Sequence, residues 1–146
     1  MHAIAMLDEL PRSRPLRFRV KGRCEMSSES RKGATFEQQW CDYAARKLGA
    51  DIERRAKNGR NDRGDVAGLY IMGKRVVVEC KNCKRMELSA WIGEAETERG
   101  NDDAEFGVVA HKRRGCGVKN FGGNYVTMDT DTFLAIVAGG FDLLEE

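Results

Sequence analysis

The chain has 146 residues, 41% of them hydrophobic, a composition typical of one folded domain of ordinary size and not of a disordered chain. Its longest apolar stretch, residues 133–141, is far shorter than the roughly 20 residues of a membrane-spanning helix, and no apolar signal segment opens the chain. The net charge of +2 shows no strong bias toward nucleic acid. We therefore expect a cytoplasmic protein without membrane contacts.

The charge is unevenly distributed along the chain. Residues 1–25 carry a net charge of +3 and both prolines, whereas the other 121 residues carry −1. Because residues 1–25 also lack a helical or strand period, we expect a basic, disordered arm there and one domain over residues 26–146. The arm is either an electrostatic tether for phosphates or a dispensable extension, and Met26 is an alternative start.

The first predicted element of the domain is a helix. Thr35 and Gln38 are spaced as a capping box, apolar residues then recur at helical spacing as far as Leu48, and Gly49 is expected to end the helix. Glu37 interrupts the helix face that we expect to be buried. A favourable interaction with the helix dipole explains Glu37 equally well at this point.

Two or three strands, including a hairpin, are predicted after this helix, over residues 51–57, 65–70 and 75–81, with a turn at 72–74. The later predicted elements are a helix capped by Ser89 that frays near Gly100, a strand at 106–111, a basic glycine-rich loop at 112–123, a strand at 125–128 and a helix at 130–138 capped by Asp129. The order α-β-β-β-α-β-β-α indicates a single-domain α/β fold with a mixed β-sheet flanked by helices.

Charged residues stand at the ends of two of these strands. Asp65 opens the second strand, and Glu79 and Lys81 end the third. Strand alternation places Glu79 and Lys81 on one face and Cys80 on the other, with the valines, and pairing can bring Asp65 alongside. Two adjacent carboxylates favour a hard cation, Mg²⁺ or Mn²⁺ over Zn²⁺. An acid-x-Lys triplet alone is expected by chance, and a strand that frays into solvent also fits these residues.

In combination, these residues resemble the PD-(D/E)XK nuclease superfamily: a Glu on a first helix, Gly-Asp opening a strand and Glu-x-Lys on the next strand. Within it, several segments are similar to phage-encoded Holliday-junction resolvases, which are related to the archaeal resolvases. These segments are GATFE at 33–37, ERR at 53–55, NDRGDVAG at 61–68, VVVECKN at 76–82, EAE at 94–96 and HKRRG at 111–115. The resemblance spans residues 33–137, and Gly64 stands where the superfamily name has proline.

The resemblance implies a restriction-endonuclease-like core of order α-β-β-β-α-β and Mg²⁺-dependent hydrolysis of DNA, resolving four-way junctions in the cytoplasm of an infected bacterial host. Asp65 and Glu79 would hold the metal with the backbone carbonyl of Cys80, and Glu37 would act directly or through water. Lys81 would orient and help to deprotonate the attacking water and offset charge on the phosphate. Asp62 is a rival for the first carboxylate, although its neighbours indicate a turn.

The resemblance also implies contacts to DNA and a homodimer, because resolving a junction requires two symmetrical cuts. The expected DNA-binding residues flank the catalytic strands and are Arg54, Arg55, Arg60, Arg63, Lys112, Arg113 and Arg114. We expect the acids between residues 94 and 105 to face away from the site, unless Glu94 or Glu98 lines it. The apolar residues at 133–137 and 141–144 belong either to the dimer interface or to ordinary core packing.

Two alternative functions stay open from the sequence. Cys80, Cys83, His111 and Cys116 could bind zinc and make the protein a zinc-stabilised nucleic-acid-binding module, although a single CxxC pair is weak evidence. Five cysteines without a secretion signal otherwise indicate reduced thiols. The second alternative keeps the nuclease but assigns it a flap, a duplex or a single strand as substrate.

Overall fold

The structure, a computed structural model, describes residues 28–146, so the predicted arm at 1–25 and the alternative start at Met26 lie outside the described residues. The helices are α1 (Ser28–Leu48), α2 (Leu88–Asn101) and α3 (Thr130–Ala138). The strands are β1 (Glu53–Arg54), β2 (Val66–Ala67), β3 (Tyr70–Ile71), β4 (Lys74–Lys81), β5 (Phe106–His111) and β6 (Tyr125–Thr127). None of the helices between residues 28 and 146 has the length and apolarity needed to cross a bilayer.

The main sheet has four strands in the order β3-β4-β5-β6. Strand β4 is antiparallel to β3 and parallel to β5, and β5 is antiparallel to β6. Strands β1 and β2 form a separate antiparallel pair. The predicted α/β class with a mixed sheet and flanking helices is therefore confirmed. The β4–β5 register pairs Glu79 with Val109 and Lys81 with His111, which sets the carboxyl ends of both strands at one edge.

The two faces of the sheet have separate apolar cores. On one face, Phe36 of α1 and Ala135 of α3 pack with Val76, Val78 and Cys80 of β4. On the other face, Trp91 and Ala95 of α2 pack against Val109 of β5. The predicted alternation along β4 is confirmed, since Cys80 shares the core face with the valines at 76 and 78.

The predicted starts of the first two helices are wrong. Helix α1 begins at Ser28, and Thr35 lies inside it, where its hydroxyl donates to the carbonyl of Arg31 at 2.8 Å. Thr and Ser make such bonds within a helix as well as at its start, so the capping-box spacing was misleading. Helix α2 begins at Leu88 without a side-chain cap. The predicted Asp129 cap of α3 is confirmed by its 2.8 Å bond from the Thr132 amide.

The predicted strands between the first helix and β4 are too long. The stretch 51–57 contains only the two residues of β1, and the stretch 65–70 is divided into β2 and β3. Gly68 lies between them with a φ of +91°, and a Cβ there would collide with the backbone of Asp51. This left-handed residue interrupts the extended chain, so one apolar run becomes two short strands.

Candidate active site

Asp65 is held against β4 by the backbone around Gly64. Gly64 has a φ of +84°, and a Cβ on it would lie 2.7 Å from Val77 Cγ1 and 3.2 Å from the Val78 carbonyl oxygen. The Asp65 amide donates to the Val78 carbonyl at 2.9 Å, and the Asp65 carboxylate accepts from the Cys80 amide at 2.7 Å. Proline cannot adopt this φ, so glycine is the residue that allows the close approach.

Glu79 and Lys81 share one face of β4, as strand alternation predicts. Glu79 is buried, and Lys81 Nζ lies 2.8 Å from Glu79 Oε1 and also forms an ion pair with Glu94 of α2. Burial lowers the pKa of Lys81, but the hydrogen bonds to Glu79 and Glu94 outweigh it, and the net effect raises this pKa. Lys81 is therefore an ammonium ion at neutral pH.

Glu37 is only 3% exposed, so the interruption that it makes in α1 is a buried charge. Arg54 Nε donates to its carboxylate at 2.7 Å, and Lys57 Nζ lies 3.6 Å from Glu37 Oε1. One cation at the end of β1 and one from the segment after it thus neutralise Glu37 where it lines the same cleft as Glu79.

Two acids of this site have no ion-pair partner among residues 28–146: Asp65, which is 3% exposed, and Glu98 of α2. Burial, followed by the charge of Glu79, raises the pKa of Asp65 to about 7. Burial, the charge of Glu79 and a hydrogen bond that the Glu98 carboxyl donates to Glu79 raise the pKa of Glu98 to about 9. Glu98 Oε2 is buried and has no hydrogen-bond partner in the described part of the chain.

Of the acids between residues 94 and 105, Glu94 and Glu98 contact the site, which is the exception that the sequence left open, whereas Asp102, directly after the helix, lies outside the cleft. Asp102 is buried and pairs with Arg55 at 3.0 Å and with Arg75. Glu98 and Asp102 continue the stripe of the buried residues Trp91 and Ala95 at spacings of four, seven and eleven. The helical period could therefore have found both.

A cleft of about 950 Å³ opens above the acids. Its walls carry eight lysine and arginine side chains and four glutamates, of which Glu37 and Glu79 are buried in the floor. Lysines and arginines around the opening can attract a polyanion, and the buried glutamates beneath them can bind metal cations.

The structure brings some of the predicted DNA-binding residues to this cleft and leaves others away from it. Arg54, Lys112 and Arg114 line it. The other predicted residues, which do not line it, are Arg55, Arg60, Arg63 and Arg113. Arg55 is held by Asp102 and by the Arg63 carbonyl. Sequence reasoning omitted three cations of the cleft from the site, namely Lys32, Lys84 and Arg85. The Lys84-Arg85 pair directly after β4 was the available signal.

The proposed zinc ligands are not assembled. Cys80 is buried on the core face of β4, Cys83 is exposed, and His111 Nε2 lies 2.6 Å from Thr127 Oγ1. Within residues 28–146, no group of three or more His, Cys, Asp or Glu side chains forms a ready-made metal site. The structure therefore does not support the zinc-stabilised module.

The donor chemistry at Asp65 and Glu79 nevertheless fits Mg²⁺ or Mn²⁺. Mg²⁺ commonly uses one or two carboxylates and completes its shell with water and phosphate oxygens, so a set of three protein side chains is not required. The raised pKa of Asp65 and the unpartnered oxygen of Glu98 mark an excess of carboxyl groups that a divalent cation would relieve.

The chain matches no protein-family model, no curated protein and no solved structure.

Proposed function

We propose that the protein is a Mg²⁺-dependent DNA endonuclease of the PD-(D/E)XK type with a restriction-endonuclease-like core. The observation that carries the proposal is the pair Asp65 and Glu79: both carboxylates are buried, Asp65 is bonded to the end of β4, and Glu79 of β4 lines a cleft rimmed by cations. Buried acids that serve only stability are expected to have a positively charged partner each. Asp65 has none within residues 28–146, and adjacent buried carboxylates with perturbed pKa values are typical of functional sites.

The side chains suggest a division of roles. Asp65, Glu79 and the Cys80 carbonyl would hold Mg²⁺, for which Mn²⁺ would substitute, and Glu37 would act directly or through water. When bound, the metal lowers the pKa of a water ligand and stabilises the charge that develops on the phosphate. Because its pKa is raised, we assign Lys81 to orienting the water and offsetting phosphate charge, and no longer to removing the proton.

The substrate that we propose is a four-way DNA junction, on the strength of the sequence resemblance. The cleft rim supplies lysines and arginines that can contact phosphate groups, as recognition by backbone and shape requires. Binding should therefore weaken steeply with salt and depend little on base sequence. Flap, duplex and single-stranded DNA are the competing substrates.

A homodimer would supply the two cuts that a junction requires. Five large apolar side chains are exposed around α3, namely Met72, Phe133, Leu134, Val137 and Leu143. The sequence alone did not decide whether the apolar residues at 133–137 and 141–144 form a dimer interface or pack in the core. The exposure of these side chains favours the interface. Phe133→Glu should convert a dimer into a monomer in analytical ultracentrifugation, whereas a wild type that sediments as a monomer contradicts the dimer.

Cleavage assays with Mg²⁺ test the activity and the substrate together. Wild type should nick a four-way junction faster than a flap or a linear duplex, and EDTA should abolish nicking. Glu79→Gln and Lys81→Ala should bind the junction but lose at least about 10²-fold in rate, whereas Glu96→Gln, an exposed acid of α2 outside the cleft, serves as the matched control. Equal cutting of all three substrates contradicts the junction assignment, and full activity of Glu79→Gln contradicts the nuclease site.

A further inference from the structure

A second pocket adjoins the cleft at the ends of β4 and β5. Its volume is about 330 Å³, and its lining includes five lysine and arginine side chains and no acid. Lys81, Lys84, Lys112 and Arg114 line both the pocket and the cleft, so the two form one continuous surface. A bound polyanion could therefore extend from the cleft into the pocket.

Three aromatic rings form a row along one wall of this pocket. The centroids of Trp91 and His111 are 5.7 Å apart, and those of His111 and Tyr125 are 5.5 Å apart. Trp91 and His111 are buried, whereas Tyr125, at the end of the row, is 46% exposed. The row thus fixes an exposed aromatic ring on a rigid support beside the cationic cleft.

Arg113 extends this aromatic surface. Its guanidinium lies 5.7 Å from the centroid of the Tyr125 ring, and the side chain is exposed. Arginine planes and tyrosine rings are the two kinds of side-chain surface on which unpaired nucleobases stack. Burial lowers the pKa of His111, so the positive charge of the pocket at neutral pH comes from its lysines and arginines.

We propose that this pocket binds one unpaired nucleotide of a DNA strand that occupies the cleft. The base stacks on Tyr125 and Arg113, and the adjoining phosphates contact Lys84, Lys112 and Arg114. The volume suits one nucleotide and not a base pair, and continuity with the cleft favours a strand over a free mononucleotide. The inference rests on the proposed function in one respect, namely that the cleft holds DNA.

Binding in EDTA tests the inference apart from cleavage. Fluorescence anisotropy compares a thymine oligonucleotide of about ten nucleotides with an abasic strand of equal length and charge, and with free dTMP as competitor. Wild type should bind the thymine strand about tenfold more tightly than the abasic strand, as expected for one stacked base. Tyr125→Ala should remove this preference, and Tyr125→Phe should retain it.

Tyr70→Ala is the matched control, because Tyr70 is 56% exposed on β3, outside both the cleft and this pocket. Arg113→Gln is a second variant, and it should reduce the preference without removing a ring from the row. Equal binding of both strands by wild type overturns the inference, as does an unchanged preference in Tyr125→Ala or dTMP binding as tight as that of the strand. None of these results bears on Mg²⁺-dependent nicking, which stands or fails on the cleavage assay alone.

Discussion

Buried acids occupy two contrasting places in this molecule. Asp102, after helix α2, lies between Arg55 and Arg75, with its closest contact at 3.0 Å. Asp65 and Glu98, which lie next to Glu79, have no ion-pair partner within residues 28–146, and their pKa values are raised. The first acid is neutralised by arginines of the protein itself, whereas Asp65 and Glu98 have no such cation among these residues and hold protons near neutral pH instead.

The difference separates a structural acid from a candidate functional one. A buried charge that serves stability needs its partners nearby, because an unpaired buried ion costs several kcal/mol. Asp102 meets that requirement and joins the segment after β1 to the start of β4. In the group at Asp65, Glu79 and Glu98, only Glu79 has such a partner in the described part of the chain, Lys81 at 2.8 Å, and a ligand that carries positive charge would be the natural partner of the other two acids.

The largest effect should follow from removing the neutralised acid. Asp102→Asn leaves Arg55 and Arg75 without their shared carboxylate, and both arginines are partly exposed, which limits the cost. We expect the free energy of unfolding in urea to fall by about 2–4 kcal/mol. Asp103→Asn, an exposed neighbour whose positive φ suits asparagine, is the control and should change it by less than about 0.5 kcal/mol. An Asp102→Asn protein as stable as the control would contradict the structural role of Asp102.

A smaller effect should appear when pH is varied without metal. The folded-state pKa values of Asp65 and Glu98 are raised to about 7 and about 9, from reference values of 3.8 and 4.5. The folded protein therefore holds protons that the unfolded chain has released, and its stability falls as pH rises through this window. Between about pH 6 and pH 7 in EDTA we expect the free energy of unfolding to fall by about 2 kcal/mol, because the folded protein holds up to two more protons than the unfolded chain there.

Glu98→Gln should reduce this pH dependence, because the amide cannot ionise. Urea unfolding at both pH values measures it in the two proteins. A stability that rises with pH in the wild type, or an equal slope in Glu98→Gln, would show that these acids are not held protonated by folding.

The smallest effect should have the opposite sign to that of Asp102→Asn. Asp65→Asn keeps an oxygen to accept the Cys80 amide at the site of the 2.7 Å bond and removes a charge beside Glu79. In EDTA at neutral pH we expect a gain of about 1 kcal/mol in the free energy of unfolding. A loss like that of Asp102→Asn would place Asp65 among the structural acids.

The regular parts of the fold were predictable from the sequence, since hydrophobic period and turn residues specify them locally. Strand β5 and helix α3 have the predicted bounds, and the alternation along β4 assigns Glu79 and Cys80 to opposite faces. The predicted helix starts failed because Thr35 bonds to a carbonyl inside α1, and because α2 begins one residue before Ser89 without a side-chain cap.

The site was only partly predictable for a different reason. Asp65 could be placed beside Glu79 because neighbouring strands pair, but the position of α2 over β4 depends on packing between distant segments. That packing brings Glu98 to Glu79 and Glu94 to Lys81, and it also pairs Arg55 with Asp102. Charge along the sequence gives no indication of which acid receives a partner.

Binding of Mn²⁺, followed by the electron paramagnetic resonance of the free ion, tests the central claim that the un-neutralised acids form a cation site. Wild type should bind Mn²⁺ in competition with Mg²⁺, Asp65→Asn should bind it at least about tenfold more weakly, and Asp103→Asn should match wild type. Equal Mn²⁺ affinity in Asp65→Asn and wild type would contradict the account.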